Sequence, residues 1–244
     1  MKMTTLRSHV VPVVLGSCAA LLLSASTSHA QLPGPLDHFM CYTIRGVLEN
    51  APVQLEDQFD PGFVPATVLR PEFFCNPVEK TRLDTGEVTK IIFPQNHLKW
   101  YRISTPQVPT HTVLVANQFG TNQKLRLTQP RWLAVPTQKD DLPHPESLDH
   151  FKCYPATGAS VSIPVTLRDQ FEEDRNFLVL KPLRFCNPTR KIHGDIRVEI
   201  QNPEAHLTCY DVARSVKTQN QFGPEVFFVR KMTLCVPSRK LLVD

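Results

Sequence analysis

The chain has 244 residues, 22 prolines, 9 glycines and a formal net charge of +4. Once Lys2 and Arg7 are set aside, 25 basic and 23 acidic side chains remain, a balance that argues against a polyanion-binding surface. Basic residues form no long run and are not interleaved with aromatics, so nucleic acid is not an expected partner.

Residues 1–30 read as a cleaved signal peptide. Lys2 and Arg7 give a positive start, VVPVVLGSCAALLL an apolar stretch, and Ser28-His29-Ala30 a small-residue cleavage site. The expected location is therefore secreted or periplasmic. The alternative is a lipoprotein anchored through Cys18, because LGSC at 15–18 is similar to a bacterial lipobox, although apolar residues continue past that cysteine. No later segment supplies the ~20 apolar residues of a membrane span.

LDHFMCY at 36–42 opens a series that continues with EDQF at 56–59 and FCNP at 74–77. HLKWY, NQFG and LAVP follow at 97–101, 117–120 and 133–136. The series then starts again: LDHFKCY at 148–154, RDQF at 168–171, FCNP at 185–188, HLTCY at 206–210, NQFG at 220–223 and LCVP at 234–237. These are two tandem copies, 36–139 and 148–240, joined by a Pro-rich connector at 140–147.

Each copy is itself two related units. His opens each of the four (38, 97, 150, 206), a Gln-Phe pair marks the middle, and Lys closes it (80, 139, 191, 240). That register assigns the six cysteines, which alone would allow fifteen connectivities. Three units hold one cysteine near the opening and one near the close, predicting Cys41–Cys75, Cys153–Cys186 and Cys209–Cys235. The second unit has Trp100 and Ala134 at those positions, so a large residue faces a small one where a bridge would sit.

Segments such as 111–119, 165–171, 176–183 and 225–236 are alternating, β-branched or aromatic, and end at Pro, Asn or Gly, which predicts strands. Helical periodicity is absent, and prolines throughout would break helices. The expected fold class is all-β: two tandem pseudo-symmetric β-barrel or sandwich domains, each built from two three-stranded units. A single closed four-unit structure is the rival.

The recurring histidines suit either a metal or a structural role; four scaffold copies explain them without requiring four sites to converge. Carboxylates at Glu56, Asp57, Asp60 and at Glu172, Glu173, Asp174 are weak calcium candidates without the glycine or ligand alternation of a calcium loop. The chain has no GxSxG, HExxH or SxxK motif, and no cofactor is expected. Residues that recur three or four times point to scaffold, so a unique function should lie where the units differ. Trp132, aligned with Phe73, Arg184 and Thr233, is a possible exposed ligand contact able to stack on a sugar or a partner's ring. Arg184, Arg190, Lys191 and Arg197 form a basic group in the second copy.

The ordered motifs over 36–240 resemble an uncharacterised repeat module, a domain of unknown function of exported bacterial proteins. The resemblance implies export and repetition, and lends no activity. The reading is a non-catalytic secreted or cell-envelope binding or structural module with a protein or glycan partner. The alternative is an extracellular hydrolase acting on an envelope polymer, with a site between the two repeats.

Overall fold

A computed structural model describes residues 35–171 and 175–243. Residues 1–30, read above as a signal peptide and containing Cys18, and the acidic run 172–174 lie outside the described residues. The described residues contain sixteen strands and no helix, so no helix is long and apolar enough to cross a membrane.

Eight of these strands pair in a closed antiparallel cycle. In order around it they are β1 (Phe39–Thr43), β3 (Val64–Pro77), β6 (His97–Ser104), β9 (Trp132–Thr137), β10 (Phe151–Thr157), β12 (Arg175–Pro188), β15 (His206–Asn220) and β16 (Gly223–Val243). The cycle closes where β16 pairs back onto β1, with Cys41 opposite Thr233. Each repeat unit supplies two neighbouring strands. The two copies, expected to fold as separate domains, instead lie in one compact unit over 32–244, and the β9–β10 ladder bridges the boundary between them. A strand edge left by one copy is completed by the other, which removes exposed edges from the ring.

Alternation puts one parity of each strand inside. Phe39, Leu98, Phe151 and Leu207, one from each opening strand, are wholly buried there. The next layer holds the disulfides Cys41–Cys75, Cys153–Cys186 and Cys209–Cys235, the pairings expected from the repeat. In every case the two cysteines are direct cross-strand partners, and Trp100 is the cross-strand partner of Ala134 in the same register. The indole therefore fills the volume of the missing bridge. This layer is the covalent and steric centre of the fold.

The middle of each unit forms an arm outside the ring. The first arm joins β2 (Ala51–Glu56) to the start of β3; the second is β7 (His111–Asn117) with β8 (Gly120–Leu127); the third joins β11 (Ile163–Arg168) to the start of β12. Val53, Leu55, Ala66 and Val68 of the first arm pack on Ile103 and Leu133 of the second unit. The second arm packs likewise on Tyr154 and Phe185 of the third unit, and the third arm on Tyr210 and Val236 of the fourth. Each of these three arms also gains an edge strand from the tail of another unit: β13 (Arg190–His193) on β2, the end of β16 on β7, and β4 (Glu79–Arg82) on β11. Apolar burial on both faces of the ring strands at ~25 cal/mol per Å² drives this wrapping.

Candidate functional site: tips and tyrosine sockets

The repeated heptapeptide is accounted for residue by residue. Leu36 and Leu148 pack against the interior cluster, and Phe39 and Phe151 belong to it. Asp37 accepts the backbone N–H groups of Ile92 (2.6 Å) and Phe93 (3.0 Å), and Asp149 those of Gln201 (2.7 Å) and Asn202 (2.8 Å). Each aspartate thereby ties down the loop that leads into the next unit. The cysteine forms the bridge, and the tyrosine points outward.

That tyrosine is a socket for a distant unit. The Asp-Gln-Phe tip of the first arm lies on the third unit: the Tyr154 hydroxyl donates to Asp57 at 2.7 Å and Asn187 Nδ2 donates to it at 3.2 Å. The Phe59 ring meets Tyr154 edge-on at 5.4 Å, and Lys240 Nζ stands 4.8 Å over the centroid of Phe59. The third arm returns the contact to the first unit. Tyr42 donates to Asp169 at 3.0 Å, Asn76 donates to it at 3.2 Å, Phe171 meets Tyr42 edge-on at 5.1 Å, and Lys139 stands 4.9 Å over Phe171.

The second arm uses Asn in place of Asp and engages the fourth unit. Asn117 Nδ2 donates to Tyr210 at 2.9 Å, Phe119 meets Tyr210 edge-on at 5.2 Å, and Lys80 stands 5.4 Å over Phe119. In all three tips the carboxylate or amide oxygen also accepts the N–H two residues on, at 2.8 to 2.9 Å, which shapes the turn before it docks. A docked tip is thus one phenylalanine held between a tyrosine edge and a lysine ammonium.

The third-unit socket is ionic. Lys152 Nζ contacts both oxygens of Asp60 at 2.8 and 2.7 Å, and both side chains are almost fully buried. Met40, at the matching position of the first unit, lies in an apolar cluster with Val165 and Leu234. Burial is the main force on Asp57; it outweighs the nearby Lys152 ammonium and, with the Asp60 charge, raises the carboxyl to about 6. Burial, followed by the charge of Asp57 and its hydrogen bond, raises the Tyr154 phenol well above its ordinary value. The carboxylates Asp57 and Asp60, weak calcium candidates in the sequence, are committed to Lys152, Tyr154 and Asn187.

The opening histidines are held neutral. Burial lowers His38, His150 and His206 to about 3 and His97 to about 4, and His97 and His206 stack on Phe74 and Phe185. Among the described residues no group of three or more His, Cys, Asp or Glu side chains is placed to hold a metal ion.

Trp132 requires a correction. Expected on an exposed face, it is 7% exposed and belongs to the interior cluster, where its indole N–H donates to Glu72 at 2.7 Å and Arg184 lies over its ring at 4.8 Å. Its position shares the inward parity of Ala134, so the ring interior claims it. The basic group is divided: Arg184 is half-buried against Phe73 and Trp132, while Arg190 and Arg197 share Glu199 and Arg190 also pairs with Glu56 at 3.1 Å. Sequence reasoning placed Asp60 among weak calcium candidates and passed over Lys152, its partner. The signal for the lysine was present, since Lys152 is the one difference between the two heptapeptides.

No curated protein and no solved structure matches the chain. The model of a family described as a repeat of unknown function, DUF7450, matches residues 97–238, from the opening histidine of the second unit to the closing segment of the fourth. With more than half its length matched, the chain belongs to this repeat family.

Proposed function

We propose that the chain is a non-catalytic secreted or cell-envelope protein, a binding or structural module whose repeated side chains serve the scaffold. One observation carries this reading: the carboxylates, tyrosines and lysine of the repeated motifs are spent on contacts within the fold. Asp57 and Asp169 take tyrosines of other units, Asp37 and Asp149 take loop backbone, and Lys152 takes Asp60. Three buried disulfides suit an oxidising compartment.

Binding then falls to surfaces that do not repeat. A cleft of about 630 Å³ lies between the first arm and the turn after β13, with Pro52, Gln54, Thr67, Ser104 and Ile192 among its walls. Amide and hydroxyl groups on an apolar floor suit an extended neutral polymer such as a glycan. A glycan array is expected to register binding that Thr67→Arg weakens at least tenfold, while a broad hydrolase panel with active-site probes stays silent. Turnover of an envelope polymer, abolished by a single substitution, would overturn the proposal in favour of a hydrolase.

A further inference from the structure

Three arms are docked; the fourth is not. Among the described residues, 214–229 of β15 and β16 pair only with each other, as a two-stranded hairpin that carries the NQFG tip. Asn220 already accepts the Phe222 N–H at 2.8 Å, the same turn as in the docked tips, yet Phe222 is 89% exposed and Val226 56%. An isolated two-stranded hairpin with an apolar side is marginal in water.

Its socket exists, and it is vacant. The docked phenylalanines stand between Tyr154 and Lys240, Tyr210 and Lys80, and Tyr42 and Lys139. The remaining tyrosine and closing lysine of the repeat are Tyr101 and Lys191. Both line one cavity of about 220 Å³ whose other walls include Val53, Val68, Leu133 and Val135. A cavity of ~150 Å³ accepts benzene, so this one has room for a phenylalanine ring.

Two sequence differences explain why the arm projects. Pro71, Pro130 and Pro182 stand four residues before Cys75, Ala134 and Cys186, at a register shift in β3 and β12 and in the gap between β8 and β9. Beside two of them lie Gly46 and Gly158; a Cβ on Gly46 would meet Pro71 at 2.5 Å, and one on Gly158 would meet Pro182 at 3.1 Å. The fourth unit has Lys231 and Arg214 at these places, and β16 runs unbroken for 21 residues. Likewise, the tail that would give this arm a third strand is the connector after Thr137, and none of residues 138–150 is in a strand.

We propose that the fourth arm docks on a second copy of this chain, seating Phe222 between Tyr101 and Lys191 of that copy, with Asn220 against the tyrosine hydroxyl. The same arm lies over the outer face of the second copy's first unit, where Phe171 is 54% exposed while the covered Phe119 is 7% exposed. Every chain owns one tip and one socket, so reciprocal exchange closes as a dimer and a one-way exchange builds a chain of copies.

Light scattering on the protein purified with its disulfides formed tests this. The expected mass is a multiple of the single chain at micromolar concentration, and Phe222→Ala, at an exposed position whose truncation leaves the fold intact, weakens self-association at least tenfold. Tyr101→Phe, which keeps the ring and removes the hydroxyl, weakens it less. A single-chain mass for the unaltered protein at about 100 μM would overturn the proposal, whether the arm then folds back on its own Tyr101 or stays free. An assembly that persists in Phe222→Ala would also overturn it, because another surface would be holding the copies.

Discussion

The first and third units present the same socket built from different physics. Both offer Tyr and Asn to the Asp of an incoming tip, and both receive a phenylalanine edge-on. In the first unit Met40 completes an apolar floor; in the third, Lys152 reaches into the incoming tip and takes Asp60. The difference teaches that the repeat specifies a docking geometry, while the residue next to it decides whether docking also needs a particular partner tip. A buried ammonium accepts only a tip that brings a carboxylate, which serves register more than net stability.

The largest expected effect comes from breaking the ionic socket on one side. Lys152→Met copies the first unit into the third but leaves Asp60 buried without its ion-pair partner, and is expected to cost about 3–5 kcal/mol in urea unfolding. A loss below ~1 kcal/mol would mean that the pair behaves as a surface salt bridge.

The ionic socket also carries a pH dependence. Asp57 sits at about 6 in the folded chain against 3.8 for the free side chain, so its contribution to stability is present below about pH 4 and lost as pH rises through 6. Asp57→Asn, which copies the Asn117 tip, removes that titration. The stability of the unaltered protein relative to this variant should rise by roughly 2 kcal/mol as pH falls from 7 to 4. A constant difference across that range would place the Asp57 titration elsewhere. Comparing against the variant cancels the buried histidines, whose lowered values act with the opposite sign: their contribution is present above about 6.5 and lost as pH falls toward 3.

The tyrosines sharpen the comparison further. Tyr154→Phe strips a donor from a fully buried carboxylate and should cost about 2–3 kcal/mol, whereas Tyr42→Phe in the more open first-unit socket should cost about 1 kcal/mol. Equal losses would erase the distinction drawn between the two sockets. The smallest effect is expected from the double substitution Lys152→Met with Asp60→Leu. Removing both charges together should return stability to within about 1 kcal/mol of the unaltered protein, and a double-mutant cycle measures the coupling.

How much was legible beforehand follows from what repeats. The disulfides and their Trp100–Ala134 substitute were readable because both members of each pair belong to one unit and change together. The strands were readable from alternation. Trp132 was misjudged because alignment with Phe73, Arg184 and Thr233 gives no inside or outside; only the parity shared with Ala134 in a ladder does. Lys152 and Asp60 are 92 residues apart, and nothing local to either marks the other.

By itself the sequence determined the local part of this protein: an all-β chain, four units in register, and bridges between cross-strand neighbours, since these depend on backbone alternation and short-range closure. The tertiary structure alone decided that four units share one ring, that each docked tip crosses to the unit opposite, and that one arm and one socket are left over. Those outcomes depend on which edges meet when the ring closes, and edge pairing between distant strands leaves no period in the chain.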